Sequence, residues 1–251
     1  MSIDDLLARM DALLVPMREA SDERRHFLEV YARTTLAARD ELTRQVPDGF
    51  LDPDWTERWT VAWADLYLEA LIRWNEDGSA PGPWQVAFEA ATEGPRVAPG
   101  RHLLLGLSAH LTYDLPQSLI EVVGDEEFRD RELIVRRTRD HEHADRILAG
   151  RLPEEERLLD RVERATDRTS AGRPLAPFGR TRVKRSLRDA RAAAWRNAGA
   201  LSVARRKGPR ALKARLDELG ERSAERVAAL RRPSRLGRLS RRGLGVVLDD
   251  A

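Results

Sequence analysis

The sequence predicts an all-α protein: one bundle-like domain of about eight or nine helices around a buried central helix, followed by a basic C-terminal tail. Three observations predict it. Long stretches are rich in Ala, Leu, Arg and Glu, which are good helix formers. Alternating β-branched runs, the mark of strands, are absent. Proline- and glycine-rich breaks divide the chain into helix-length pieces.

In order, helices are expected over 2–19, 22–46, 54–77, 84–92, 100–122, 125–149, 153–170, 180–206 and 209–231. "VPDGFLDPDW" separates the second from the third, and Asp54 with Glu57 forms a plausible capping pair at the start of the third. "EDGSAPGPW" closes the third, and "EGPRVAPG" leads into the central one. "SAGRPLAPFGR" (170–180) is the longest break. Residues 1–206 are read as the helical domain and 207–251 as a basic C-terminal helix and tail.

Composition narrows the chemistry. There is no cysteine, which removes disulfides, thiolate catalysis and Cys-containing zinc sites, and fits a reducing, cytoplasmic setting. The N-terminus "MSIDDLLARMDALLVPM" carries early acids and no long apolar core, so it does not read as a signal peptide. No run approaches the length of a membrane span. The net charge of +2 hides an asymmetry: 17 basic against 29 acidic side chains over 1–150, and 27 against 13 over 151–251. "RRPSRLGRLSRRG" (231–243) carries Arg231, Arg232, Arg235, Arg238, Arg241 and Arg242 with no acid. That tail is read either as a solvated end or as an arm for nucleic acid or an anionic lipid surface. On either reading, deleting 231–251 is expected to leave the thermal midpoint nearly unchanged.

The central helix holds the polar residues that need explaining. From Leu103 to Leu111 it is apolar nearly all round, so it should be buried. His110 and Asp114 stand at i, i+4 and share a face. Buried polar groups must be paired, and these two can bond each other, an arginine or a metal. Pro116 should kink the helix near 112–116, which gives Asp114 a second reading as a cap bonding the amide of Gln117. His102 lies about 12 Å from His110 along the helix axis, so it is a supporting or unrelated contact.

"RTRDHEHADRILAG" repeats the His-x-x-x-Asp spacing with His141 and Asp145, and Asp140 lies on the adjacent stripe. His143 points elsewhere, toward solvent. Two such turns on neighbouring helices would supply ligands for zinc, manganese or iron. Asp65, among Trp59, Trp63 and Tyr67, is the further acid expected to turn inward. Arg191 and Trp195 share a face, and Arg191 is placed to reach a carboxylate or a substrate phosphate. The reading drawn from these residues is a metal-dependent phosphoester hydrolase with His110, Asp114, Asp140, His141 and Asp145 as ligands. His102, Asp65, Arg191 and Trp195 would lie around the centre or on the substrate. The alternatives are a non-catalytic structural or ligand-binding module whose buried His and Asp fix packing, and a polyanion binder using the tail.

"FLEVYARTT", "GFLDPDWTERW", "LLLGLSAHLTYDLP" and "ARAAAWRNAGAL" occur in the order found in an uncharacterised, mainly actinobacterial all-helical family, which the chain resembles over roughly 20–205. The Gly-x-x-Ala-His-x-x-x-Asp-Leu-Pro core at 106–116 is the most specific part. The resemblance implies one all-α domain with His110, Asp114 and an acid near 140 as its polar centre, and it implies no activity. "HLTYDLPQSL" is also similar to the His-x-x-x-Asp turns of the zinc-dependent phospholipase C and S1/P1 nuclease superfamily. That family uses a mature N-terminal tryptophan as a ligand, whereas this chain begins Met-Ser and has only five histidines.

Overall fold

The computed structural model describes residues 1–44, 48–93, 99–165, 180–231 and 245–248. The described residues are helical, without a strand: α1 (Ile3–Glu19), α2 (Arg25–Arg44), α3 (Pro53–Asp77), α4 (Gly82–Thr92), α5 (Pro99–Ala109), a π-helical turn (His110–Asp114), α6 (Leu115–Val122), a 3-10 turn (Glu127–Arg129), α7 (Arg131–Ala165), α8 (Arg180–Lys207) and α9 (Pro209–Arg231). No helix among them is long and apolar enough to cross a membrane.

Local chemistry explains most of the boundaries. Ser2 and Asp5 form a reciprocal capping box at the start of α1. The cap of α3 is Asp52, not the expected Asp54; it accepts from the Trp55 amide, and Pro53 takes the first turn, where its missing N–H costs nothing. Gly78 ends α3 in the left-handed conformation that glycine adopts without strain. The expected break between 149 and 153 does not occur. Pro153 lies inside α7, which runs without interruption past it.

Helices α5 and α6 are one apolar rod interrupted by the π-helical turn, and Pro116 accounts for that turn. Proline has no amide to give the carbonyl four residues back, at Thr112. Ser223 of α9 donates its hydroxyl to that carbonyl at 3.2 Å. One residue earlier the Leu115 amide reaches the His110 carbonyl, five residues back. The helix widens at this turn.

Two apolar clusters meet along this rod. Leu28, Leu68, Leu71, Leu104 and Leu105 belong to the first, with α1, α4 and the end of α9. Trp55, Trp59, Leu115, Leu119, Leu201 and Leu219 belong to the second, with α8. Helix α9 packs on α4, α5 and α8, so residues 209–231 belong to the same body as 1–206. Part of the expected tail is also built in. Leu248 is buried, its amide donates to Asn197 Oδ1 at 2.9 Å, and Asn197 Nδ2 donates to the Val246 carbonyl at 2.8 Å. Deleting 231–251 therefore removes a core contact, contrary to the expectation from composition. Asn197→Ala strands the buried Leu248 amide and is expected to cost about 1–3 kcal/mol in denaturant unfolding. Arg231 pairs with Glu93, whereas Arg232, Arg235, Arg238, Arg241 and Arg242 lie outside the described residues.

Candidate functional site

The His110 and Asp114 side chains leave the π-helical turn on the face that looks across to α2, α3 and α4. Nδ1 of His110 lies 2.8 Å from Asp114 Oδ2. Trp84, near the start of α4, donates its indole N–H to both carboxyl oxygens, at 3.1 and 2.9 Å. The helix-cap reading of Asp114 is corrected: its side chain makes no cap bond and turns inward to Trp84 and His110. His110 is 2% and Asp114 1% exposed.

Aromatic rings surround this pair. Trp63 lies face-on against the imidazole, with centroids 4.2 Å apart and planes 5° apart. Tyr31 meets it edge-on at 4.7 Å, and Phe27, Trp84 and Tyr67 stand at 5.8, 6.1 and 6.3 Å. Phe27 sits where Gly106 has no side chain; a Cβ there would lie 2.6 Å from the ring. Gly106→Ala is expected to push Phe27 out of place and cost about 1–3 kcal/mol, read as a lower denaturation midpoint.

Burial sets the protonation of the pair. It holds His110 well below the ordinary imidazole value. It raises Asp114 well above the ordinary carboxyl value, against the smaller opposing effect of the Trp84 bond. Both shifts favour an uncharged pair in which the acid donates to Nδ1. The other ring nitrogen, Nε2, has no hydrogen-bond partner, and neither has the buried Tyr31 hydroxyl.

The second His-x-x-x-Asp turn lies elsewhere. His141 packs on Trp59 at 4.7 Å and faces Trp195 at 6.4 Å. Trp59 and Trp63 stack between it and His110, so the two turns do not share a centre. Asp145 is held by Arg191, which also bonds Glu142; of the two roles weighed for Arg191, it takes the carboxylate one. Asp140 accepts from the amides of Leu51 and Asp52 and so anchors the entry to α3. Asp65 does not turn inward; it pairs with Arg9 and is partly exposed. His143 is not solvated: it packs on Phe50 and lies 3.1 Å from Glu41. His102 stacks near His26, and both approach Glu23, at 3.8 and 3.3 Å. Among the described residues, no group of three His, Asp or Glu side chains is placed to hold a metal ion.

His141 also carries a pH dependence. Burial, with the nearby Arg191 charge, pushes its pKa down to about 3. Its contribution to stability is therefore present above the ordinary pKa of 6.5 and lost as pH falls from there toward 3, by up to about 1.4 kcal/mol per pH unit. Asp145, pushed up to about 6 chiefly by burial, runs the opposite way: its contribution is lost as pH rises through 6. His141→Phe should thus be less acid-labile than the parent, measured as the difference between their denaturant midpoints from pH 7 to 4.

Sequence reasoning missed Trp84, Tyr31 and Glu23. The one available signal was that a buried indole needs an acceptor, and "GPWQVAF" placed Trp84 on a short apolar helix. The model of a family of unknown function (DUF5995) matches residues 3–233. No curated protein and no solved structure matches the chain.

Proposed function

The chain belongs to that family of unknown function, and from this premise we propose that it is a helical binding module whose His110 chamber takes a small uncharged ligand. The observation that carries this reading is a pair of uncommitted polar atoms, His110 Nε2 and Tyr31 Oη, buried on rings 4.7 Å apart. Buried polar atoms are normally satisfied, and each unmade bond costs about 1–3 kcal/mol. A ligand hydroxyl or carbonyl that bridges them recovers that cost. Phe27, Tyr67 and Trp84, which stand around His110, also wall a cavity of about 20 Å³ that borders Arg24, His102 and Gly106 but not His110 or Tyr31 themselves. A space of that size holds one water-sized group, so a larger flat ligand needs Phe27 to swing aside. An ionic ligand would lose its hydration beside an uncharged pair, which favours a neutral one.

Phenol is a suitable probe, being flat and uncharged with one hydroxyl. Saturable binding should shift the ¹⁵N resonance of His110 Nε2 and raise the thermal midpoint, and His110→Phe should lose both responses. If phenol moves neither, the pair serves packing alone.

A second reading, the metal-dependent phosphoester hydrolase, has one supporting observation. A carboxylate that accepts from Nδ1–H and leaves Nε2 without a proton orients metal-ligating histidines, and the 2.8 Å contact of His110 with Asp114 has that geometry once the acid is ionised. The other expected ligands do not fit, since Asp140, His141 and Asp145 are engaged away from His110. Elemental analysis of protein purified without metal-affinity steps decides it: about one ion per chain, lost in His110→Ala, would favour the hydrolase over the binding module.

A further inference from the structure

All six tryptophans of the chain fall in one connected array of rings. Trp55, Trp59 and Trp63, one turn apart on α3, stack at 5.5 Å with planes 13° and 9° apart. Trp63 continues onto His110 at 4.2 Å, and His110 onto Trp84 at 6.1 Å. Trp84 reaches Trp74 through Phe88, at 5.4 and 5.6 Å; Trp74, like Trp63 and Trp195, is only partly buried. Trp195 joins through His141. We propose that this array conducts one-electron oxidation from the surface at Trp74 into the core, and that the Trp84–Asp114–His110 hydrogen-bond chain is where the oxidising equivalent comes to rest.

Indole is among the most readily oxidised side chains, and this protein has no thiol to compete with it. Stacked indoles pass electrons by short hops, and where one Phe or His ring stands between two indoles the electron tunnels across it.

Guanidinium groups lie at both ends of the array, Arg137 over Trp55 at 4.6 Å and Arg24 over Phe88 at 5.8 Å from the ring centre, so the resting place is chosen by where a proton can go.

The proton bookkeeping singles out Trp84. An oxidised indole becomes strongly acidic and is trapped once its N–H proton has an acceptor. Trp59 donates to the Ser118 hydroxyl and Trp63 to the His110 carbonyl, both poor bases. Trp55 and Trp195 have no partner for theirs. Trp84 alone among these donates to a carboxyl.

A one-electron oxidant of high potential removes one electron from Trp84. The Nε1–H bond breaks and its proton goes to Asp114 Oδ1. The proton on Asp114 Oδ2 moves to His110 Nδ1. The products are the reduced oxidant, a neutral Trp84 indolyl radical, an unchanged carboxylic acid and an imidazolium. Burial disfavours that imidazolium, and the Trp63 ring lying face-on against it offsets part of the cost.

Flash-quench oxidation tests this on the full chain. Photoexcited ruthenium tris-bipyridine, quenched by pentaamminechlorocobalt(III), supplies a one-electron oxidant at the surface. Transient absorption and freeze-quenched electron paramagnetic resonance then report the radical. The parent should give a long-lived neutral indolyl radical whose formation slows in heavy water. Trp84→Phe should lose it. Asp114→Asn, which keeps the shape and removes the acid's transferable proton, should replace it with a short-lived cation radical. Trp74→Phe, outside the buried polar network, should slow its appearance, which keeps the test decisive if a core variant folds poorly. A neutral radical with the same yield, lifetime and isotope effect in the parent, Trp84→Phe and Trp74→Phe would overturn the proposal.

Discussion

Replacing Asp114 with alanine is expected to remove about 3–5 kcal/mol of stability, because it leaves two buried donors or acceptors without partners and opens a void between α4 and the central rod. Trp84 Nε1 and His110 Nδ1 are the two stranded atoms. Asparagine is expected to cost only about 1 kcal/mol, since it mimics a protonated carboxyl: its oxygen still accepts from Trp84 and its amide still donates to Nδ1. An asparagine cost as large as that of alanine would mean that the carboxyl is ionised and balanced by a cation. The two variants also separate on acidification. The raised Asp114 carboxyl contributes most below its ordinary 3.8 and less as pH rises through its folded value. The depressed His110 contributes above 6.5 and is lost as pH falls. In the parent these trends oppose each other. Asp114→Asn deletes the first, so its denaturant midpoint should fall more steeply than the parent's between pH 6.5 and 4, with a slope approaching about 1.4 kcal/mol per pH unit.

Arg191→Ala is the second substitution with a large expected effect, about 3 kcal/mol or more at neutral pH, because it leaves the Asp145 carboxyl buried without its cation. Arg191 ties two acids of α7 to α8. Asp145 is already pushed up to about 6 with Arg191 in place. Without it the carboxyl takes up a proton more readily, so the loss should shrink as pH falls through 6. Arg191→Ala with Asp145→Asn should recover part of the loss. A double-mutant cycle with no coupling would show that the arginine acts only by covering Trp195.

The helical class was legible because helix formers, capping residues and proline breaks act over short distances in the chain. The same locality made His110 and Asp114 legible as a pair, since i, i+4 spacing places them on one face. What could not be read was whatever closes across the fold. Trp84 is 30 residues from Asp114 and meets it only because α4 packs against the rod. His141 has the same local spacing as His110, yet the stacked rings of Trp59 and Trp63 separate them. Asp140 reads as a ligand in sequence and serves as an anchor for two amides of the α3 entry. The family match over 3–233 agrees with the all-helical resemblance as to a family of unknown function, and extends beyond the 20–205 stretch that carried it.

The π-helical turn has a consequence for how the chain tolerates length changes. An α-helix advances about 100° per residue, and the turn holds one residue more than an α-helical turn would. It thus absorbs that extra residue while keeping α6 in phase with its partners. Excising one residue from 110–114 would let the rod revert to continuous α-helix with α6 near its present phase, whereas excising one from 103–109 would swing the face that carries Leu115 and Leu119 by about 100°, away from α8. Nearby substitutions can be absorbed by repacking, but a phase error cannot, because it displaces every side chain downstream at once. Here the number of residues is as strong a constraint as their identity.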